Sequence, residues 1–312
     1  MDLGVQIEPQ FGFSYQDVLA IAREAERAAF RAVWVSDHLF LNKDAVATDC
    51  LDAWTLLAAL AAETKTIRIG PMVTAQSYRN PALLAKIAAC VDQISGGRLE
   101  FGLGAGWKEV EYLAYGYEFP PPGVRVTQLA ETLEICARLW TEPRATYHGK
   151  HYRVVDAISS PKPLQRPLPI WIGGTQPRVM RIAAKHAQWF NLSDPSTPVS
   201  ERLPILRDGV DEACRAVGRD PATLHRSLFI QALVAPSRRE VDEIAGELAK
   251  RANVGLEQWR SSRPAMFVGT ADEVGERLRE LARAGVEHAN VMLPYRFEVT
   301  GVRALAQVSR AL

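Results

Sequence analysis

Short apolar segments alternate along this chain with longer amphipathic segments, and this alternation is the feature that most constrains its fold. Eight apolar segments have the length and composition of strands, at residues 3–7, 32–35, 67–74, 99–103, 170–172, 189–192, 227–234 and 288–294. Helical patterns separate most of them, which is typical of parallel strands joined by crossover helices. The count favours a closed (β/α)8 barrel over an open doubly wound sheet. We therefore predict an α/β protein with a single barrel domain over residues 1–312.

Two stretches interrupt the alternation. The first, at about residues 142–168, contains the sequence TYHGKHYRV, which predicts a hairpin turning at Gly149, and then several prolines that cannot lie inside a central strand. The second, at about residues 250–265, is polar, and we predict an irregular insertion there. Elsewhere, helix starts are marked by a serine or threonine followed three residues later by an acidic residue, as at Ser14 and Thr270.

Charge and composition exclude several classes of protein. The 37 Lys and Arg residues nearly balance the 36 Asp and Glu residues, so no basic field exists that would bind nucleic acid. The four cysteines are isolated, and no metal-ligand spacing occurs, so we expect no metal and a reducing compartment. The chain shows neither a signal-peptide pattern nor a long apolar run, and we predict a cytoplasmic protein that does not associate with membranes.

In a parallel barrel, functional residues lie in the loops that follow the strands. This rule selects the following candidates: Glu8, residues 36–38, 74–78, 104–107, 173–175 and 191–193, Gln231 and Pro294. Two of these loops, residues 104–106 and 173–175, carry glycines whose backbone N–H groups can approach an anion closely. A helix follows the second loop, and a helix N-terminus favours a phosphate. The alternative is that these glycines only end their strands.

The individual side chains allow more than one reading. His38 suits proton transfer or a hydrogen bond to a substrate, although a lone histidine at a strand end is more often structural. Serine-nucleophile chemistry is not supported, because G-x-S-x-G is absent and Ser36 lies before an aspartate. A dinucleotide fingerprint is also disfavoured, since GLGAGW follows the fourth strand. Glu109 and Glu111 could serve a site, but acids in the first turn of a helix more often complement its dipole.

Four segments in combination resemble a known family. They are VWVSDHLF at 33–40, IRIGPMVTAQSYRNPALLAK at 67–86, DQISGGRLEFGLGAGWKEVEY at 92–112 and PLPIWIGGTQPRVMRIAAKHA at 167–187. The chain resembles the luciferase-like monooxygenase superfamily and, within it, the coenzyme F420-dependent oxidoreductases. This resemblance implies a (β/α)8 barrel with insertions, usually a homodimer, that binds a flavin or deazaflavin across the C-terminal rim.

The resemblance also implies roles for particular residues. His38 is expected beside the reactive ring, Met72 and Val73 in a non-prolyl cis peptide behind that ring, and both glycine loops on the cofactor phosphate. We expect cofactor contacts from Met72, Val73, Thr74, Gly104, Ala105, Gly106, Gly173, Gly174 and Thr175. We expect the walls of the substrate pocket to include Glu8, Phe11, Trp34, Tyr78, Trp107 and Asn191.

One residue departs from the family pattern. Relatives that oxidise a sugar phosphate carry a glutamate directly after the G-x-G loop, where this chain has Trp107, so that activity is not predicted. We predict instead hydride transfer between reduced coenzyme F420 and a small organic substrate, with His38 as the acid–base or polarising residue. The alternatives are an FMN-dependent monooxygenase that uses oxygen and a non-catalytic flavin-binding barrel. No motif names the substrate.

Overall fold

The computed structural model describes residues 1–294 and 298–309 of this chain. Its strands are β1 Asp2–Ile7, β2 Ala32–Val35, β3 Arg68–Pro71, β4 Thr74–Ala75, β5 Phe101–Gly104, β6 Ala145–His148, β7 Arg153–Ala157, β8 Ile170–Gly174, β9 Trp189–Leu192, β10 His225–Ala235, β11 Phe267–Thr270 and β12 His288–Met292. Its helices are α1 Tyr15–Arg27, α2 Ala53–Glu63, α3 Pro81–Ser95, α4 Glu109–Ala114, α5 Pro122–Thr141, α6 Pro177–His186, α7 Val199–Pro204, α8 Val210–Ala216, α9 Arg238–Arg251, α10 Leu256–Ser261, α11 Ala271–Arg283 and α12 Glu298–Ser309.

The central sheet is parallel and closes into a barrel. Its strands lie in the order β3, β2, β1, β12, β10, β9, β8, β5, β4. The strands at the two ends of this order, β3 and β4, follow one another in the chain and are separated only by Met72 and Val73. A bridge between Ile69 and Leu99 also joins β3 to the segment that leads into β5. With β3 and β4 taken as one interrupted strand, the described residues confirm the predicted (β/α)8 barrel.

The interruption between β3 and β4 contains the cis Met72–Val73 peptide bond that the family resemblance implies. The Val73 side chain lies against β5 and β8 at the point where each strand has a glycine. A Cβ atom on Gly104 would lie 2.6 Å from Val73 Cγ2, and one on Gly173 would lie 2.9 Å from Val73 Cγ1. These distances are too short for a real Cβ contact, so glycine is required at both positions for Val73 to pack there.

The predicted helix starts are present in the structure. The Ser14 side chain accepts from the backbone of Asp17, and the Asp17 carboxylate accepts from the backbone of Ser14. Thr270 and Glu273 form the same reciprocal capping box at the start of α11. These local bonds satisfy backbone groups that the first helical turn leaves unpaired, and they fix where each helix begins.

The structure confirms the sequence prediction for one of the two interruptions of the strand–helix alternation and contradicts it for the other. The first contains the predicted hairpin, in which β6 and β7 pair antiparallel. The prediction that residues 250–265 are irregular is wrong, because α10 lies there and is followed by β11, which pairs with β10. Trp259 of α10 is only 3% exposed and packs against Val241 and Ala245 of α9. The polar composition of this stretch concealed one apolar helix face.

Aromatic side chains fill the interior of the barrel. The rings of Trp171 and Trp189 stack with their centroids 4.3 Å apart, and Trp34 meets Trp171 edge-on. The indole N–H of Trp34 donates to Nε2 of His288 at 3.1 Å. Burial lowers the pKa of His288 to about 3, and nearby Arg31 acts in the same direction, so this imidazole is a neutral acceptor. The barrel is therefore a packed core rather than a channel.

A buried arginine ties α2, α3 and the start of β3 together. The Arg98 guanidinium donates to the backbone oxygens of Ala61, Thr64, Ile67 and Ser95. Arg98 is 9% exposed, so water does not replace these bonds easily. Each of those carbonyl groups would lose a partner if the guanidinium were removed.

We expect Arg98→Met to lower the free energy of unfolding by about 3–5 kcal/mol, because several buried carbonyl groups would be left unpaired. Urea unfolding followed by circular dichroism measures the change. Arg144→Met is the matched control, since Arg144 makes one exposed ion pair with Asp156 and should cost about 1 kcal/mol or less. Equal losses from the two substitutions would contradict this account of Arg98.

Candidate active site

A cavity of about 800 Å³ opens at the carboxyl ends of the barrel strands. The predicted site residues that line it are Glu8, Phe11, His38, Met72, Val73, Tyr78, Gly104, Ala105, Gly106, Trp107, Gly173, Gly174, Thr175 and Asn191. The strand-end rule also selected Ser36, Asp37 and Gln231, which line the cavity as well. Parallel strands bring their carboxyl ends to one rim, so residues far apart in sequence meet there.

Two residues expected to contact the cofactor or the substrate do not line this cavity, and neither does Pro294, which the strand-end rule selected. Trp34 is fully buried in the barrel interior beside Trp171, so the prediction that it forms a wall of the pocket is wrong. Thr74 is also fully buried, and its hydroxyl accepts a hydrogen bond from the Trp54 indole at 2.8 Å. Both side chains belong to the core beneath the rim.

His38 lies in the loop after β2 and is held by a buried carboxylate. Its Nδ1 atom lies 2.9 Å from Oε2 of Glu111, whose side chain has no exposed surface. The hydroxyl of Tyr78 donates to the same oxygen at 2.7 Å. Trp107 meets the His38 ring edge-on, with centroids 5.7 Å apart. The His38 ring is thus fixed between Glu111 and Trp107 at the cavity wall.

The other carboxylate oxygen of Glu111 holds the loop that carries His38. Oε1 accepts from the backbone N–H groups of Leu39 and Phe40 at 2.9 and 3.2 Å. The Lys108 ammonium donates to Oε1 at 2.9 Å and to the backbone oxygen of Leu41 at 2.8 Å. Lys108 and Glu111 together fasten the loop after β2 to the loop and helix after β5.

The protonation states of Glu111 and Tyr78 agree with these contacts. Burial alone would raise the pKa of Glu111, but hydrogen bonds from His38, Lys108 and Tyr78 outweigh it and lower this pKa to about 2. Burial raises the pKa of Tyr78, and its bond to Glu111 acts in the same direction, so the hydroxyl keeps its proton. At neutral pH the site therefore contains a carboxylate that can only accept and a phenol that donates to it.

A second ion pair fixes the residue before His38. The Arg79 guanidinium binds both oxygens of Asp37, with the shorter contact at 2.6 Å, and it also contacts Asp52 at the start of α2. Asp37 is buried, and burial raises the pKa of its carboxyl against the opposing effect of Arg79. This pair anchors the end of β2 to Arg79 and to the start of α2.

The rim has the groups that an anionic ligand requires. Within the described residues, no hydrogen bond uses the backbone N–H of Ala105, Gly106 or Trp107, and none uses that of Thr175 or Gln176. The last two lie at the N-terminus of α6, where the helix dipole favours negative charge. Free amides on two loops at one rim fit a phosphate group.

Two polar side chains in the cavity wall add to this fit. The amide nitrogen of Asn191 is buried and has no partner among the described residues, although its oxygen accepts from Ser227. Arg125 donates to the backbone oxygen of Pro120 and stacks on Phe119, and its Nε atom has no partner in the described chain. Both residues line the cavity, so these unused donors are candidates for hydrogen bonds to oxygen atoms of a ligand.

Sequence reasoning missed the central residue of this site. The sequence favoured a dipole role for Glu111 over a role in the site, and that preference is wrong, because the Glu111 carboxylate is buried and faces His38 Nδ1. Lys108 and Arg125 also line the cavity without having been selected. The only signal for Glu111 was its position, in the first turn after the glycine loop, and position alone does not distinguish a dipole partner from a buried acceptor.

The lowered pKa of Glu111 predicts a pH dependence of stability. A carboxyl whose pKa is lower in the folded state stabilises the fold above its unfolded pKa and loses that contribution as the pH falls through the folded pKa. The difference in free energy of unfolding between wild type and Glu111→Gln should therefore shrink by about 3 kcal/mol between about pH 5 and pH 2. Urea unfolding at several pH values measures it, and parallel curves would contradict the prediction.

Comparison with known proteins agrees with this architecture. The model of the luciferase-like monooxygenase family matches residues 1–288. An uncharacterized protein of Mycobacterium tuberculosis is 30% identical over 276 residues, which cover 83% of this chain and 91% of that protein. An F420-dependent glucose-6-phosphate dehydrogenase of Microbacterium testaceum is 32% identical over 209 residues, which cover 65% of this chain and 61% of that enzyme.

Structural similarity extends over the whole barrel. An F420-dependent secondary alcohol dehydrogenase, solved with an F420–acetone adduct, superposes with a TM-score of 0.82 at 21% identity, covering 98% of this chain and 97% of that one. Among the described helices, none is both long and apolar enough to span a membrane. Because the family model covers nearly the whole sequence, the chain belongs to the luciferase-like monooxygenase family.

Proposed function

We propose that this protein is an oxidoreductase that transfers a hydride between coenzyme F420 and a small organic substrate. The observation that carries the proposal is the placement of His38, held by the buried Glu111 carboxylate in the wall of a cavity of about 800 Å³. A cavity of this size accommodates a tricyclic ring and a small second molecule. The relatives named as F420-dependent dehydrogenases support the choice of cofactor.

The residues that would hold the cofactor are those of the rim. The free amides of residues 105–107 and 175–176 would bind its phosphate, and the Asn191 amide would donate to an oxygen of the ligand. Met72 and Val73 would lie against the ring, since both line the cavity between β3 and β4. These contacts also follow the roles that the family resemblance implies.

When bound, a deazaflavin supplies or accepts a hydride at one ring carbon. His38 would act on the substrate atom next to the carbon that gains or loses the hydride. In reduction of a carbonyl or imine, the protonated His38 ring would donate its Nε2 proton to the oxygen or nitrogen, and in the reverse reaction Nε2 of the neutral ring would accept that proton. Trp107 and Tyr78 would exclude water from this position, because both line the cavity near His38.

The substrate is proposed to differ from a sugar phosphate. The position directly after the glycine loop holds Trp107, whose side chain is 71% exposed beside the His38 ring. An exposed indole offers an apolar surface where a carboxylate would offer charge. We therefore favour an uncharged substrate group near His38, although matched relatives are named glucose-6-phosphate dehydrogenases.

The second candidate function is an FMN-dependent monooxygenase. The same rim amides would bind the FMN phosphate, and the family is described by that activity. A third possibility is a flavin-binding barrel without catalysis. The contacts of His38 with Glu111 argue against the third, since a binding module has no need for an oriented imidazole beside the ring.

We also propose a cytoplasmic protein and, as the family resemblance implies, a homodimer. Leu83 and Ile94 of helix α3 are 54% and 52% exposed. In the neighbouring stretch at residues 142–168, Ile158 and Leu164 are 63% and 51% exposed. Residues 83 and 94 lie three turns apart on one helix face. A second copy would cover this apolar surface, and sedimentation equilibrium should give twice the mass of the chain.

Cofactor titration tests the proposed function. Oxidised F420 added to the apoprotein should quench tryptophan emission with saturation, because the exposed Trp107 ring lines the cavity. FMN is titrated in parallel under the same conditions. Tight binding of FMN without a response to F420 would overturn the proposal and favour the monooxygenase.

Replacement of His38 tests its role. On a compound that the wild type reduces with F420, selected from simple ketones, enones and imines, His38→Ala should lower kcat by about 100-fold or more. The Kd for F420 should stay within about tenfold, because the lost interaction belongs to the transition state. His148→Ala, an exposed histidine of β6, is the matched control. An unchanged kcat in His38→Ala would make His38 structural.

A further inference from the structure

Of the five groups around the Glu111 carboxylate, four are hydrogen-bond donors and the fifth is Nδ1 of His38. Oε1 receives the backbone N–H groups of Leu39 and Phe40 and the ammonium of Lys108. Oε2 receives the hydroxyl of Tyr78 and faces Nδ1 of His38. The carboxylate is ionised and fully buried, and an ionised carboxylate offers lone pairs and no proton.

The only ambiguous atom in this set is Nδ1 of His38, because a neutral imidazole carries its single proton on either nitrogen. An unprotonated Nδ1 would place its lone pair 2.9 Å from a carboxylate oxygen and repel it. A protonated Nδ1 gives Oε2 its second donor. The contacts therefore select one tautomer, which is assigned from the partners.

We propose that Glu111 is a positioning residue that holds neutral His38 as the Nδ1–H tautomer, so that Nε2 meets the ligand as a hydrogen-bond acceptor. Nε2 makes no hydrogen bond with the part of the chain that the structure describes, and His38 lines the cavity. The ligand group that neutral His38 recognises must then be a donor, such as a hydroxyl or an amine. This role rests on the proposed function, whereas the tautomer itself is a property of the apoprotein.

Replacement of one carboxylate oxygen by an amide gives a specific consequence. In Glu111→Gln, the side-chain oxygen would keep the position of Oε1, because an NH2 group there would face the ammonium of Lys108 and two backbone N–H groups. The NH2 group would take the position of Oε2 and donate to Tyr78 and to His38 Nδ1. The imidazole proton would then move to Nε2. The substitution should change Nε2 of His38 from a hydrogen-bond acceptor to a donor towards the cavity without moving the ring.

Two-bond 1H–15N correlation spectra of the apoprotein with labelled histidine test this inference. The His38 signals are assigned by their loss in His38→Ala, and the tautomer is determined from spectra in which the ring carries a single proton. Wild type should show Nδ1 protonated, and Glu111→Gln should show Nε2 protonated. Glu109→Gln, an exposed acid in the same helical turn, should keep the wild-type pattern.

Two results would overturn the inference: wild type with Nε2 protonated, or Glu111→Gln with Nδ1 still protonated. The wild-type spectrum decides the tautomer even where Glu111→Gln does not fold. With F420 and a turned-over substrate, Glu111→Gln should lower kcat by about 10²–10⁴-fold while the Kd for F420 changes by less than about tenfold. Normal turnover with an inverted tautomer would show that the tautomer does not position His38 for catalysis. The predicted spectra in a protein that binds no F420 would leave the tautomer established and reject the proposed function.

Discussion

The carboxylate of Glu111 lies inside the protein without exposed surface, and the geometry of the candidate site depends on the donors that surround it. An unpaired buried charge costs several kcal/mol, so the carboxylate stays ionised only while its partners remain in place. Those partners come from the loop after β2, the segment after β4 and the loop after β5. One acceptor thus joins three rim loops and orients His38 towards the cavity.

The barrel beneath the rim makes this arrangement rigid. Stacked tryptophans and a neutral His288 fill its interior, and Val73 packs into space that Gly104 and Gly173 leave open. Loops on a well-packed scaffold hold side chains in fixed positions, as a catalytic geometry requires. The Asp37–Arg79 pair adds a second anchor at the end of β2. The packed barrel interior below the cavity and the hydrogen-bonded loops around its rim together define the cavity.

The sequence predicted the barrel because its signals are local: each strand is an apolar run, and each helix has its own cap and period. The rule that sites follow strands then placed His38 and both glycine loops correctly at the rim. Glu111 was not selected because its role depends on contacts with a loop more than 70 residues away in the chain. Trp34 was misplaced because the strand pattern shows that it is buried but does not show its depth in the barrel. The apolar face of α10 was not predicted because Trp259 lies among polar residues in the sequence.

The central claim is that the rim binds F420 with its reactive ring beside His38. A crystal structure of the protein with oxidised F420 tests this claim most directly. The phosphate should lie on the free amides of residues 105–107 and 175–176, and the deazaflavin ring should lie against Met72 and Val73 within reach of His38. A ring bound away from His38, or a phosphate held by other groups, would contradict it.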